Sequence, residues 1–484
     1  MRLVAALTAA CALLAAGSAP AGAQPPPIQH VFVIVLENKA FSETFGKDSP
    51  APYLSQTLVG QGAFVRQYYG IGHESLDNYI AMISGQAPNG VTQADSPAYV
   101  DFFPGTPSSD GQFVGQGSVY PAAVKTIADQ LAARGLRWRG YMEDMGNSPS
   151  EPKTCRHPAV GSPDSTTNAR NGDQYAMRHN PFVYFHSIID DQAACDANDV
   201  PLDRLPGDLA DPASTPNLAF ITPNLCNDGH DKTCVDGRPG GLAAADAFLR
   251  EWVPRITGSP AFTQDGLLLV LFDEAPAPPD SGPADARACP APCQSPMGPN
   301  TVNPGGPMMG PGGGLVGAVA LSPYIRPGTV TDRPYNHYSL LRSIEDLFGL
   351  GHLGYAGLQG QTAFADDLYT GRPGTLAAPT RCSPGALPAA RRGRLPRGSV
   401  IRSARLRRRG RRHPQLLLTF TRDARLAVRG RPRPFLRRRY PTRRVGPHRV
   451  AGCRTYRVTL PYLHGTASVV ATVGRASERR TIRF

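Results

Sequence analysis

Past residue 16 this sequence of 484 residues has no apolar run long enough to cross a bilayer, a task that takes roughly 20 consecutive residues. It has no CxxC pair, which excludes a zinc ribbon. Acidic side chains almost disappear near the end: after residue 390 only Asp423 and Glu478 remain, against 28 arginines and no lysine. That segment carries +26 within a chain whose net charge is +13, so the rest must carry −13. An acidic body with a strongly basic tail is two physical objects.

The start of the chain has its own logic. Arg2, the apolar run Leu3–Ala16 and the small residues Ala21-Gly22-Ala23 stand in the order of a basic region, a hydrophobic region and a cleavage site. Residues 1–23 are therefore expected to be a signal peptide, and the protein to be secreted or otherwise extracytoplasmic. Cys11 would leave with that segment, and eight cysteines would remain for pairing in an oxidising compartment. Close spacing suggests Cys226 with Cys234 and Cys289 with Cys293. Cys382 with Cys453 would staple the tail and leave Cys155 with Cys195, although spacing alone leaves the connectivity open.

Residues 24–372 alternate strand-like and helix-like segments. Val31–Leu36, Leu218–Ile221, Leu267–Phe272 and Leu315–Leu321 are continuous apolar runs, as expected of strands buried on both faces. Val124, Ile127 and Leu131 recur at helical spacing before Gly135, and Leu340, Leu341, Ile344, Leu347 and Phe348 before Gly349. The pattern predicts an α/β fold with a mainly parallel central sheet and helices on both faces. Residues 275–314, rich in Gly and Pro, read as loop. Residues 373–398 read as a Pro/Gly/Arg-rich linker, and 399–484 as a small Arg-rich β module with strand-like runs at 415–420, 455–460 and 467–473.

Two of the buried runs end in acidic residues, Glu37-Asn38 and Asp273-Glu274. In open α/β sheets ligands bind at the C-terminal strand ends. Either pair alone is an ordinary loop start. Both meeting at one edge would repel unless a cation lay between them. The third feature is the run from Gly72 to Gly85, where Ser75 precedes a short apolar helix. Ser75 is either a simple N-cap or a hydroxyl held among free N–H groups at the positive end of a helix, where phosphate binds readily.

The segment His30–Phe41 resembles the opening strand of the phosphoesterase family, which contains bacterial acid phosphatases and phospholipase C-type enzymes and is related to the alkaline phosphatase superfamily. Five further segments follow in the family's order: 73–79 around Ser75, 178–184 around His179, 221–231 with Asp228 and His230, 271–274, and 336–346 with His337. The resemblance spans roughly residues 28–372 and implies an alkaline phosphatase-like fold. It implies Ser75 as a nucleophile that forms a phosphoserine, with His179 and His230 as further catalytic residues. Asn78, Asn224 and His179 would contact substrate. Glu37, Asn38, Ser75, Asp273, Glu274, Asp228 and His337 would hold metal. The sequence departs from the pattern where Asp273-Glu274 runs into Ala275-Pro-Ala-Pro-Pro, and at Asp77, where acid phosphatases carry Pro.

The expected activity is metal-dependent hydrolysis of a phosphoester on a small molecule or phospholipid. The match to the phospholipase C branch at Lys39-Ala-Phe-Ser is poor, which favours a phosphomonoesterase over a phosphodiesterase. An oxygen-only first shell favours Mg²⁺, Ca²⁺ or Mn²⁺, with Zn²⁺ possible if His230 or His337 contributes nitrogen. The alternative from a different class is a non-enzymatic binder of polyanions at a cell surface. The arginine tail reads either as the imprint of a GC-rich genome or as a module for anionic surface polymers. No obligate protein partner is indicated.

Overall fold

The computed structural model describes residues 25–301 and 312–370 in full, and seven strands between 401 and 483 by their backbone. The proposed signal peptide and linker lie outside the described residues. The chain divides into two compact units, Met1–Gly374 and Thr375–Phe484.

The first unit is built on an eight-stranded sheet. Its spatial order is Thr329–Thr331, Ala63–Val65, Ala318–Leu321, Gly266–Phe272, His30–Leu36, Leu218–Thr222, Trp138–Met142 and Asp199–Pro201. Every residue of His30–Leu36 and Gly266–Phe272 is buried. Branched and aromatic side chains on both faces of these two strands account for their uninterrupted apolar sequences. All neighbours pair in parallel except Ala318–Leu321, which runs antiparallel to both strands beside it. The apolar run at 315–321 therefore yields a shorter strand than its sequence suggests, and of opposite direction. Gly317, at φ +71°, breaks the run, and Leu315 makes only an isolated bridge to Tyr69.

Two helices carry candidate site residues at their first positions. Ser75–Ser84 is buried at every residue and ends at Gly85, whose φ of +69° is the left-handed conformation that closes helices. His337–Phe348 begins with Asn336, whose side chain accepts the Ser339 N–H, and ends at left-handed Gly349. The two pack against each other. Among the described residues no helix is long and apolar enough to cross a membrane.

The second unit holds two antiparallel sheets. One has the order Ile401–Arg407, Gln415–Phe420, Thr455–Thr459. The other has the order Arg443–Val450, Ala424–Pro432, Gly465–Val473, Ala476–Arg483.

Disulfides join Cys155 to Cys195, Cys226 to Cys234 and Cys289 to Cys293. Cys382 and Cys453 lie outside the described residues.

Candidate active site

Strand register decides what meets at the sheet edge. Leu36 lies opposite Phe272, so Glu37 and Asp273 leave the sheet on neighbouring strands, about 4.8 Å apart. The Asp273 N–H donates to the Leu36 carbonyl at 2.9 Å. One carboxylate oxygen of Asp273, Oδ1, accepts the backbone N–H of Asn38 at 2.9 Å and of Glu274 at 2.7 Å. Asn38 reaches that position with a φ of +53°, a left-handed turn that asparagine tolerates. The other oxygen, Oδ2, is buried and has no hydrogen-bond partner among the described residues.

Ser75 arrives from the adjacent loop. It is the first helical residue, after Glu74 at φ +78°. Its hydroxyl does not cap the helix. It donates to Glu37 Oε2 at 2.8 Å, while the Tyr79 hydroxyl, one turn further along, donates to Glu37 Oε1 at 2.6 Å. Of the N–H groups at this helix start, that of Leu76 is already taken by the Asp95 carboxylate at 3.0 Å. Asp95 is in turn paired with Arg178 at 3.2 Å.

Asn78 is occupied by the loop that presents Ser75. Its oxygen accepts the N–H groups of Ile71 and Gly72, and its nitrogen donates to the carbonyls of Gly72 and Glu74. Asn78 thereby holds the loop that presents Ser75. Asn224 is likewise engaged. Its side chain donates to Asp144 and accepts the N–H groups of Cys226 and Asn227, which shapes the loop toward Asp228. A cavity of 470 Å³ lined by Glu143, Asp144, Trp252 and Arg255 borders this loop and contains no candidate site residue.

The loop brings Asp228 to Glu37, whose N–H donates to the Asp228 carbonyl at 2.9 Å. His179 stands between them. Its Nε2 is 3.5 Å from Glu37 Oε2 and its Nδ1 3.9 Å from Asp228 Oδ2. The ring stacks on Tyr79 at 5.4 Å. Neither nitrogen of His179, nor Asp228 Oδ2, has a hydrogen-bond partner among the described residues. The side chain of His230 is 47% exposed. Its N–H donates to Asp228 Oδ1.

His337 is brought to the strand end but not to its carboxylates. Nε2 lies 2.5 Å from the Asp273 carbonyl and Nδ1 3.2 Å from the Tyr68 hydroxyl. With Nε2 on the Asp273 carbonyl and Nδ1 on the Tyr68 hydroxyl, it braces Asp273 rather than facing the carboxylates. Sequence reasoning passed over His73, whose Nδ1 sits 2.5 Å from Glu274 Oε2 while its buried Nε2 has no partner among the described residues. Arg178, Asp95 and Tyr79 were passed over too. Position within the 73–79 and 178–184 segments was the available signal for His73, Tyr79 and Arg178.

Glu37, Asp228, Asp273 and Glu274 are all buried. Burial pushes each carboxyl above its ordinary range, Asp273 to about 6, and mutual repulsion adds to this for Glu37 and Glu274. Burial, together with the Arg178 charge, keeps His179 neutral. Such a cluster needs either protons or a cation. The unpartnered oxygens of Asp273 and Asp228 and the unpartnered nitrogens of His179 fit a cation, since polar atoms this deep are rarely left unsatisfied. Tighter groupings of metal-ligand types occur at Cys155, Cys195 and Asp199 and at Cys226, Cys234 and Asp236. In both the sulfurs are spent in disulfides, so neither offers thiolate.

A serine hydroxyl held by a buried carboxylate, among further acids at the C-terminal edge of a mainly parallel sheet, suits attack on a phosphoric ester, and the chain's relatives are hydrolases of phosphoric ester bonds. The chain belongs to the Phosphoesterase family, whose sequence profile matches residues 48–351. It is 24% identical over 331 residues to a phosphatidylinositol-3-phosphatase of Mycobacterium tuberculosis, covering 68% of this chain and 80% of that protein. It is 27% identical over 297 residues to a phosphate-repressible acid phosphatase of Penicillium chrysogenum, covering 61% of this chain and 54% of the fungal protein. An acid phosphatase of Aspergillus fumigatus is 25% identical over 357 residues, covering 71% of this chain and 62% of that protein. Among solved structures, a protein of the alkaline phosphatase superfamily from Vibrio parahaemolyticus matches 68% of this chain and 67% of its own. Its identity is 15% and its TM-score 0.35, too low for a conclusion about chemistry.

Proposed function

We propose that this chain is an exported, metal-dependent phosphomonoesterase that works through a phosphoserine at Ser75. The observation that carries the reading is the Ser75 hydroxyl donating to buried Glu37 at 2.8 Å within a cluster of unsatisfied acidic oxygens. Glu37, Asn38, Ser75, Asp273, Glu274 and Asp228 offer oxygen donors, the set that suits Mg²⁺, Ca²⁺ or Mn²⁺. A bound divalent ion would lower the pKa of the serine hydroxyl and offset charge on the phosphoryl oxygens.

The chain's own groups then divide the work. Ser75 Oγ attacks phosphorus and passes its proton to Glu37 Oε2, and the ester P–O bond breaks. Half-exposed His230 protonates the leaving oxygen when it enters the step as imidazolium, a form that burial disfavours and that acidic pH supplies. Water then cleaves the phosphoserine and frees inorganic phosphate. Tyr79 and the backbone N–H groups of Asn38 and Glu274 hold Glu37 and Asp273 in place. The names of the curated relatives, which are phosphatases, support a monoester. The lipid headgroup named for the mycobacterial relative keeps a phospholipid among the substrates proposed here.

Acid quench during turnover of nitrophenyl phosphate, followed by peptide mass mapping, should find one phosphoryl group on Ser75. Its absence under conditions of rapid turnover would remove the covalent mechanism. Faster cleavage of the choline-linked nitrophenyl diester than of the monoester would replace the phosphatase reading with a phospholipase C-type one.

A further inference from the structure

The strands after residue 400 sort the arginines by face. Alternate residues of a strand occupy opposite faces of its sheet. In the four-stranded sheet Arg425 is in register with Arg449 on one side and Thr472 on the other, and Thr472 with Ser477. Arg429 is in register with Arg444 and Ser468, and Ser468 with Thr481. The ladder irregularity between Leu426 and Val428 returns Arg444 to the same face as Arg449, although five positions separate them. Arg431, Arg479 and Arg483 share that face by register. Among the described residues no acid falls on it.

The opposite face takes Leu426, Val428, Val445, Val469 and Ile482, with Arg443, Arg480 and Glu478. The arginine face also takes Ala427 and Val470. Two arginine pairs, Arg425 with Arg449 and Arg429 with Arg444, stand directly opposite across one ladder, Cα atoms about 5 Å apart. Like charges so placed destabilise a sheet. An anion shared by each pair removes that penalty.

We propose that this arginine face is a docking surface for a linear phosphodiester polymer without bases, such as a polyol phosphate. The guanidinium group matches phosphate oxygens with two parallel hydrogen bonds. The two pairs stand about 13 Å apart along the strand, which suits a repeating anion better than a single one. Thr466, Ser468, Thr472, Ser477 and Thr481 share the face as neutral hydroxyl donors. Among the described residues it carries no Phe, Tyr or Trp, the side chains on which single-stranded nucleic acid stacks. It carries no Leu or aromatic residue for a membrane interface. The surface does not depend on the chemistry assigned to Ser75.

The test uses the full chain and poly(glycerol phosphate) as probe. Replacing Arg425, Arg429, Arg444 and Arg449 by Gln should weaken binding at low salt at least tenfold. It should also flatten the salt dependence by about 3 in log–log slope, at about 0.7 per phosphate contact. A control replacing Arg391, Arg392, Arg394 and Arg397 removes the same charge and should leave most of the affinity. Relief of repulsion should keep the sheet variant folded. If its thermal transition is nevertheless lost, the Arg→Lys version, which retains charge, should still bind more weakly than the parent. Equal loss in the control overturns the proposal in favour of bulk charge. Equal capture by anionic lipid vesicles, or more than tenfold preference for single-stranded DNA, overturns the choice of polymer.

Discussion

Ser75 and Glu37 share a hydrogen bond of 2.8 Å across 38 residues of sequence. The contact exists because a strand ends at Leu36 and a helix begins at Ser75, and both face the same sheet edge. If Ser75 is the nucleophile, Ser75→Ala should cut turnover at least about a thousandfold, the scale on which loss of a covalent nucleophile falls. The thermal transition should barely move. Retained activity of several per cent would assign the reaction to another group. Tyr79→Phe, which removes one of two donors to Glu37, should cost much less and leave the phosphoserine detectable.

The acidic cluster makes a separable prediction about metal. Asp273→Asn and Glu37→Gln should each lower bound divalent metal and activity together, since both oxygens belong to the proposed shell. Chelator treatment followed by single-metal addition should restore activity with Mg²⁺, Ca²⁺ or Mn²⁺. Recovery with Zn²⁺ alone at stoichiometric amounts would mean that a nitrogen ligand takes part, and His179, with both ring nitrogens unpartnered among the described residues, is the candidate.

The centre of this fold was legible because its two middle strands are buried on both faces and so read as unbroken apolar runs. The acids that end them were legible for the same reason. Edge strands were not: Thr329–Thr331 and Asp199–Pro201 are three residues long, too short to show a period. The direction of Ala318–Leu321 is a matter of connection, which local pattern does not encode. Ser75, Asp228 and His179 do converge on Glu37. Asn78, Asn224 and His337 lie near them yet spend their polar atoms on backbone groups and neighbouring side chains. A motif match cannot separate a residue that touches substrate from one that holds the first in place. His73 was missed because its partner, Glu274, is 201 residues away.

The disulfide between Cys226 and Cys234 closes the loop that carries Asp228 and His230. Non-reducing peptide mapping should recover that pair linked. Cys226→Ser with Cys234→Ser should cost about 2.5 kcal/mol of stability on loop-closure grounds. Activity should fall further than stability, because Asp228 meets the Glu37 N–H directly. Parent-like activity in the double variant would show that the backbone hydrogen bonds of the loop suffice.

Glu345 gives a pH-dependent stability that is separate from catalysis. It lies in the last turn of the helix His337–Phe348, with Oε1 accepting the Leu353 N–H at 2.9 Å. Oε2 is buried without a partner among the described residues. Burial pushes its carboxyl up to about 9. The folded state therefore holds a proton that the unfolded chain releases near its ordinary pKa of about 4.3. Stability from this group is complete below that value and declines as pH rises toward 9, because the folded state binds more protons across the interval. Glu345→Gln keeps the acceptor and cannot ionise. Its unfolding free energy should match the parent near pH 4 and exceed it at pH 8 by several kcal/mol, at most about 5. Chemical denaturation of both proteins at the two pH values measures the difference directly. A gap that stays constant with pH would show that Glu345 is ionised in the folded protein.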